Sequence, residues 1–321
     1  MALEPLDPAK QRRHKLRNTL HTWLLAGGAV ALLGLCAWAL WGWVGLITAA
    51  VSGAVGLWSA SRVSPAMVLR LYKARPLSRA AFPEGHRVIE ALAERADLPT
   101  VPKLYYVPSR MMNAFAVGRP EDAAIAVTDG LVRGLTLRQF VGVVAHEVSH
   151  IRNEDLKVMA LADVVARMTS FLSTLGFITL LFHLTDFIRG GVGLWFAIAL
   201  LLAAPTIGGL LQLALSRARE YDADLDAAGL TGDPEGLATA LLALERKQSG
   251  MWEGLFLPGA RIPDPSLLRS HPSTEDRVNR LLSLRQGPDR YIVFPEERPE
   301  IGGGFTPIVR RPRFWISGLW Y

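Results

Sequence analysis

Charged residues are missing from three long stretches of this 321-residue chain. No Asp, Glu, Lys or Arg occurs between Arg17 and Arg62, from Met168 to Thr185, or from Gly190 to Ser216. A surface helix of a soluble domain needs a polar face, so these stretches exclude an ordinary soluble protein. Cysteine is almost absent too. Cys36 is the single one, which excludes an intrachain disulfide and agrees with a reducing compartment.

The uncharged stretches are long enough to cross a membrane, which takes about 20 apolar residues. Residues 20–60 provide two spans with a turn near Trp41-Gly42-Trp43, and residues 168–188 and 192–215 provide one span each. The sequence therefore predicts four transmembrane helices in two hairpins, with the lipid bilayer as a partner. A cleaved signal peptide is the alternative for the N-terminus, but its apolar core would be only about 7–15 residues long.

Lysine and arginine flank the first apolar stretch at both of its ends. They are Lys10, Arg12, Arg13, Lys15 and Arg17 before it, and Arg62, Arg70, Lys73, Arg75 and Arg79 after it. The turns on the far side carry only Asp186 and Arg189. The positive-inside rule therefore places both termini and the polar bulk of the chain in the cytoplasm. These flanks explain most of the net charge of +6, so no nucleic-acid partner is expected.

The polar sequence predicts a small number of helices and strands. We expect helices at 83–96, at 137–155 after a capping Thr136, at 216–248 with an interruption near 229–234, and at 273–284. Short strands are predicted at 103–107, 114–117 and 123–127, with residues 109–113 as a connection.

The most specific pattern in the chain is His146-Glu147-Val148-Ser149-His150. Histidines four residues apart on a helix lie on one face, where both imidazoles can bind one metal ion. Neutral imidazole suits zinc, which lowers the pKa of a bound water toward about 7 and leaves Glu147 to accept the proton. Two structural histidines are the competing interpretation, but chance produces the pattern in roughly one chain of this length in a hundred.

A zinc site of this kind needs a third protein ligand from elsewhere in the chain. Glu220 is the best candidate because it directly follows the last predicted span, on a helix that emerges on the same side as the motif. Asp224 lies one turn later on the same face, where it can accept from a ligand imidazole N–H. Such an acidic cluster alone would usually be exposed helix surface. Beside an incomplete zinc site, it predicts one zinc ion per chain.

Other classes of membrane protein fit less well. In an intramembrane protease the motif would lie inside a span, yet Arg138, Arg152, Glu154 and Lys157 flank this one, and such residues are costly in the bilayer. A transporter would carry polar groups at mid-membrane, and the predicted spans offer few. A non-enzymatic scaffold would be expected to have lost the base or a ligand, and none is lost.

With these residues assembled, the sequence resembles the HtpX-type membrane metalloproteases, relatives of the CAAX prenyl proteases. The resemblance covers the chain to about Leu284. It rests on four motifs: the His-Glu motif with Asn153 and Asp155 behind it, Arg-Glu-Tyr-Asp-Ala-Asp at 219–224, Asn-Ala-Phe-Ala at 113–116, and His-Pro at 271–272 followed by Arg277.

The resemblance implies a zinc endopeptidase of the gluzincin type, with His146, His150 and Glu220 as ligands and Glu147 as general base. Its substrates would be polypeptides, namely damaged or misassembled membrane proteins, and its location a bacterial inner membrane. A catalytically weak membrane chaperone or scaffold on a protease fold is the alternative.

Further roles follow from the same resemblance. Asn113, Ala114 and Phe115 would lie on or near an edge strand that aligns an extended peptide substrate. His271 would help to stabilise the tetrahedral oxyanion, with Arg277 supporting it. Asp155 would hold the motif helix in place.

We therefore expect a mainly α-helical membrane protein with four transmembrane helices and a cytoplasmic α+β catalytic domain of zincin-like fold that contains a small β-sheet. The expected segments are a basic N-terminus (1–19), a transmembrane hairpin (20–60), a first catalytic part (62–167), a second hairpin (168–215), a second catalytic part (216–284) and a C-terminal tail of open role (285–321).

Overall fold

A computed structural model describes residues 8–60, 64–182, 192–253 and 273–284. The described chain is mostly helical, with one small sheet. Its helices are α1 (Pro8–Ala60), α2 (Pro65–Leu71), α3 (Pro83–Arg95), α4 (Asp129–Gly134), α5 (Leu137–Arg152), α6 (Asp155–Phe182), α7 (Val192–Thr231), α8 (Pro234–Glu253) and α9 (Thr274–Ser283). Its strands are β1 (Arg75–Pro76), β2 (Lys103–Val107), β3 (Ala114–Val117) and β4 (Ala124–Thr128).

The chain divides into two compact units. The apolar unit consists of Leu16–Val63 and Lys157–Arg219, and the polar unit of Met1–Lys15, Ser64–Leu156 and Glu220–Tyr321. Within the described residues, three helices are long and apolar enough to cross a membrane, at Lys15–Ser59, Asp155–Thr179 and Trp195–Thr231. Large apolar side chains are exposed along them, as expected where the surroundings are lipid.

The first of these helices is broken at the turn predicted near residues 41–43. Trp41 and Gly42 have non-helical backbone angles, with φ of −138° and 58°. A Cβ placed on Gly34 would lie 3.5 Å from Leu46 Cδ2, whereas twelve residues of straight helix would separate the two by about 18 Å. The chain therefore folds back at Gly42, and α1 consists of two packed arms.

The polar unit contains a four-stranded mixed sheet in the order β1-β2-β4-β3. β2 and β4 are parallel, while β3 pairs antiparallel with β4, from Ala114 opposite Val127 to Val117 opposite Ala124. β3 thus forms one edge of the described sheet. β4 is buried along its whole length and lies in the core, where α3 and α5 pack through an edge-to-face contact of Phe82 with Phe140.

Most of the predicted helices and strands of the polar sequence are present. The helix expected at 83–96 is α3, and the helix after Thr136 is α5, which ends at Arg152. The interruption near 229–234 separates α7 from α8, and the helix at 273–284 is α9. The strand expected at 123–127 starts and ends one residue later.

Candidate metal centre

Contacts at both ends fix the position of α5, the helix that carries the His-Glu motif. At its start, the Thr136 side chain accepts from the Gln139 N–H and the Gln139 side chain accepts from the Thr136 N–H, which forms a capping box. Arg138 donates to both carboxylate oxygens of Asp233 at 2.6 and 2.8 Å, which ties α5 to the start of α8. At the other end, Asn153 donates to Asp226 of α7 at 2.8 Å.

Three side chains of the polar unit converge on one point between α5 and α7. Nε2 of His146 lies 3.1 Å from Nε2 of His150, and Glu220 Oε2 lies 3.5 Å from the first ring and Oε1 3.8 Å from the second. Among the described residues, these three form the one group whose spacing suits a metal ion. Ligands of a tetrahedral zinc ion at about 2.0–2.1 Å lie about 3.3 Å from one another, so the observed separations fit such an ion.

A carboxylate faces the outer nitrogen of each imidazole. His150 Nδ1 lies 2.7 Å from Asp155 Oδ2, and His146 Nδ1 lies 3.1 Å from Asp224 Oδ1. Because a carboxylate only accepts, we assign the proton of each ring to Nδ1. Both Nε2 lone pairs then point to the same place, as metal-ligating histidines require.

The converging lone pairs fit a cation. Two imidazole nitrogens and a carboxylate oxygen that face one another in a buried site repel unless a positive ion lies between them. In the metal-free protein a proton on His146 supplies this positive charge. Burial lowers the pKa of His146, but the contacts with Asp224 and Glu220 outweigh it and raise that pKa to about 10. The residues present therefore fit a divalent metal such as zinc.

Arg277 of α9 contacts both Glu220, the candidate third ligand, and Asp224, the carboxylate beside His146. Its guanidinium donates to both oxygens of Asp224 at 2.6 and 2.7 Å, and its Nη1 lies 3.1 Å from Glu220 Oε2. Burial disfavours the ionised form of Asp224, yet Arg277 and His146 hold its pKa below the usual range. Arg277 thus keeps the buried carboxylate of Asp224 ionised and contacts Glu220 as well. The sequence predicted a supporting role for it beside His271, which lies outside the described residues.

Glu147 lies between the sheet and the two histidines, His146 and His150. Burial raises its pKa above the usual value, and the charges of His150 and His146 partly oppose that rise. Its carboxylate accepts a hydrogen bond from the backbone N–H of Ala116 in β3. A buried carboxylate with a raised pKa is suited to accept and return a proton near neutral pH. The Ala116 contact was not predicted, because backbone groups leave no signal in the sequence.

The open edge of β3 lies beside this carboxylate. The Asn113 carbonyl accepts from the Thr128 N–H at 3.0 Å, and its N–H donates to Thr128 Oγ1 at 2.9 Å. Because backbone direction alternates along a strand, Ala114 and Ala116 point their N–H and C=O groups away from β4. Asn113 is exposed and Phe115 is half-buried. The edge strand predicted to bind substrate is therefore next to Glu147.

Comparison with known proteins agrees with this architecture. The model of peptidase family M48 matches residues 79–285. The chain is similar to a protease HtpX homolog of Acaryochloris marina, 39% identical over 276 residues that cover 82% of this chain and 90% of that one. It is also similar to a protease HtpX homolog of Burkholderia mallei, 36% identical over 234 residues that cover 69% of this chain and 81% of that one.

The fold also occurs among solved structures. The crystal structure of S. mikatae Ste24p matches with a TM-score of 0.52 and 21% identity, over 85% of this chain and 66% of that one. Taken with the apolar helices and the three-ligand cluster, the comparisons define a membrane-associated metalloprotease. The chain belongs to peptidase family M48, and the predicted resemblance to HtpX-type proteases is confirmed.

Proposed function

We propose that this protein is a zinc-dependent endopeptidase that cleaves damaged or misassembled membrane proteins at the cytoplasmic face of a bacterial inner membrane. The observation that carries the proposal is the position of Glu147, between the His146, His150 and Glu220 cluster and the open edge of β3. A proton acceptor, a metal-binding group and a peptide-pairing edge meet there, which is what hydrolysis of an extended chain requires.

His146, His150 and Glu220 would hold one zinc ion. When bound, that ion supplies a Lewis acid that activates water and polarises the amide carbonyl. Glu147 accepts the proton of the attacking water and delivers it to the leaving amine nitrogen, a transfer that its raised pKa favours. Asp224 and Asp155 orient the two imidazoles, and Arg277 holds Asp224 and Glu220 in place.

The backbone groups of Ala114 and the carbonyl of Ala116, which point away from β4, pair with an extended substrate segment as an added strand. Main-chain pairing of this kind depends little on sequence, which suits an enzyme that removes damaged proteins of many kinds. Asn113 and Phe115 flank the same edge and contact the substrate side chains. We assign His271 a part in stabilising the oxyanion on the resemblance alone.

The membrane arrangement is part of the proposal. Four spans in two hairpins, with the polar unit in the cytoplasm, follow from the distribution of lysine and arginine. The reversal of α1 at Gly42 supports two spans in the first hairpin.

Glu147→Gln tests the mechanism, since it removes the base and keeps a side chain of the same size. We expect cleavage of an unfolded membrane substrate to fall by about 10²–10⁴ while zinc content stays unchanged. Glu94→Gln, which alters an exposed carboxylate of α3, is the matched control and keeps full activity. Cleavage by Glu147→Gln at the parental rate would exclude the mechanism, whereas absence of cleavage by the zinc-loaded parent would favour the chaperone or scaffold alternative.

A further inference from the structure

The short helix α2 has an apolar side that no described residue covers. Met67 and Leu71 lie one turn apart on it and are 69% and 56% exposed. The other side of α2 is anchored, because Leu69 is 4% exposed and packs in a cluster with Val107 and Val117 of the sheet. The sheet therefore holds α2 rigidly, with two large aliphatic side chains directed outward.

The charged residues around α2 indicate what kind of surface covers its exposed apolar side. No Asp or Glu occurs from Pro8 to Pro83, while Arg70, Lys73 and Arg75 are exposed on or just after α2. α2 also starts only five residues after the end of the long apolar helix α1. Basic side chains around an apolar helix face are typical of segments that lie in the interface of a membrane with anionic headgroups.

We propose that α2 is a membrane-interface helix, with Met67 and Leu71 inserted among lipid chains and the neighbouring basic residues on anionic headgroups. Tyr72 follows α2 directly, and its ring packs on Phe115 of β3 with 4.9 Å between the ring centroids. The interface helix is thereby in contact with the edge strand. This inference deepens the proposed function and rests on it in one respect: it places the peptide-binding edge beside the lipid surface, where segments of membrane-protein substrates emerge.

Spin labels on single cysteines test the lipid contact in the full-length protein. In a Cys36→Ala background, labels are attached at Met67→Cys, Leu71→Cys and the control Ala91→Cys. Ala91 is exposed on α3 between Glu90 and Glu94, where no lipid contact is expected. The protein is reconstituted in nanodiscs with and without phosphatidylglycerol, and collisions with oxygen and with a polar nickel chelate are measured.

The lipid contact gives a distinct pattern of collisions. We expect labels at 67 and 71 to collide with oxygen and be shielded from the nickel chelate, more strongly with phosphatidylglycerol, and the label at 91 to show the reverse. Labels at 67 and 71 as open to nickel as the label at 91 would overturn the proposal. Shielding from both reagents would also overturn it, because that result means a protein contact.

An activity measurement tests the consequence for substrates. Met67→Gln with Leu71→Gln should slow cleavage of a reconstituted membrane substrate roughly tenfold, because apolar area at the interface is lost. Cleavage of soluble unfolded casein and the zinc content should not change. An equal loss on both substrates, or on neither, would contradict the inference. If the parent protein cleaves neither substrate, the proposed function fails, and the spin labels still decide the lipid contact.

Discussion

At the scale of single residues, the site is an arrangement of buried charges that compensate one another. Glu220, Asp224 and Arg277 are each about nine-tenths buried, where an unpaired charge would be costly. Arg277 contacts both carboxylates, and His146 lies against them on the other side. Contacts within the protein therefore hold the three candidate metal-binding side chains, His146, His150 and Glu220, close together.

The raised pKa of His146 predicts how metal binding depends on pH. Below about pH 10 the metal-free ring carries a proton, and zinc must displace it because only neutral imidazole binds the ion. Zinc affinity should therefore rise about tenfold for each unit of increasing pH across the neutral range. Competition with a chelating dye between pH 6.5 and 8.5 measures this slope.

Asp224→Asn checks the cause of that slope. The variant removes a negative charge beside His146 Nδ1, so the proton is held less tightly and the slope should become shallower. Its zinc affinity should also fall by about 10–100-fold, since an oriented outer carboxylate is lost. Asp122→Asn, in the exposed turn before β4, is the matched control. A parental slope in Asp224→Asn would show that Asp224 is not the cause.

Residue spacing predicted which side chains of the site are neighbours on one helix, but not which side chains meet between helices. Four-residue spacing on a helix places His146 beside His150, and Glu220 beside Asp224, whatever the rest of the fold. Which carboxylate faces which ring depends on how the start of α6 and the end of α7 pack on α5, and sequence spacing holds no such information. Asp155 was expected to support the helix, and the structure places it on His150 itself.

At the scale of elements, a close helix crossing sets the position of the motif. A Cβ on Gly142 of α5 would lie 2.8 Å from the backbone N and Cα of Leu237 in α8. Only glycine allows this approach. His146 lies one turn after the crossing, so the packing of α5 on α8 fixes the turn that carries the candidate metal-binding histidines.

Gly142→Ala should therefore separate α5 from α8. We expect a loss of about 1–3 kcal/mol of stability, as overpacking of a core usually costs, and weaker retention of zinc. Thermal unfolding in detergent and metal analysis measure the two effects. Gly209→Ala is the control, because a Cβ there meets nothing within 4 Å. An unchanged melting temperature in Gly142→Ala would mean that the crossing relaxes without cost.

The starts and ends of elements show where sequence patterns lose precision. The second hairpin was predicted to begin at Met168, where charges stop, yet α6 is continuous from Asp155. Hydropathy detects the lipid-facing part of a helix, while backbone hydrogen bonding continues through the charged turns before it. The predicted end of the first catalytic part, at residue 167, consequently falls inside a helix.

At the scale of the whole molecule, the polar unit is assembled from separated pieces of sequence. The motif on α5 and Glu220 on α7 are about seventy residues apart, and the sequence between them includes most of α6 and the first part of α7. Glu220 can meet the motif only because the chain comes back to the polar unit after the apolar helices. The alternation of charged and uncharged stretches predicted that arrangement, whereas the packing within each unit needed three-dimensional structure.

The proposed topology predicts which loops lie on the periplasmic side of the inner membrane. In a Cys36→Ala background, Trp43→Cys should react with a membrane-impermeant maleimide added to intact cells. Trp43 is 76% exposed, and it is preferred to Gly42, whose φ of 58° suits glycine. A cysteine at Gly190 should react in the same way, because the second hairpin is predicted to turn on that side. Thr100→Cys, exposed in the polar unit, should react only after the cells are opened. Because the placement rests on lysine and arginine flanks alone, labelling of Thr100→Cys in intact cells would reverse the orientation and move the metal centre to the opposite face of the membrane.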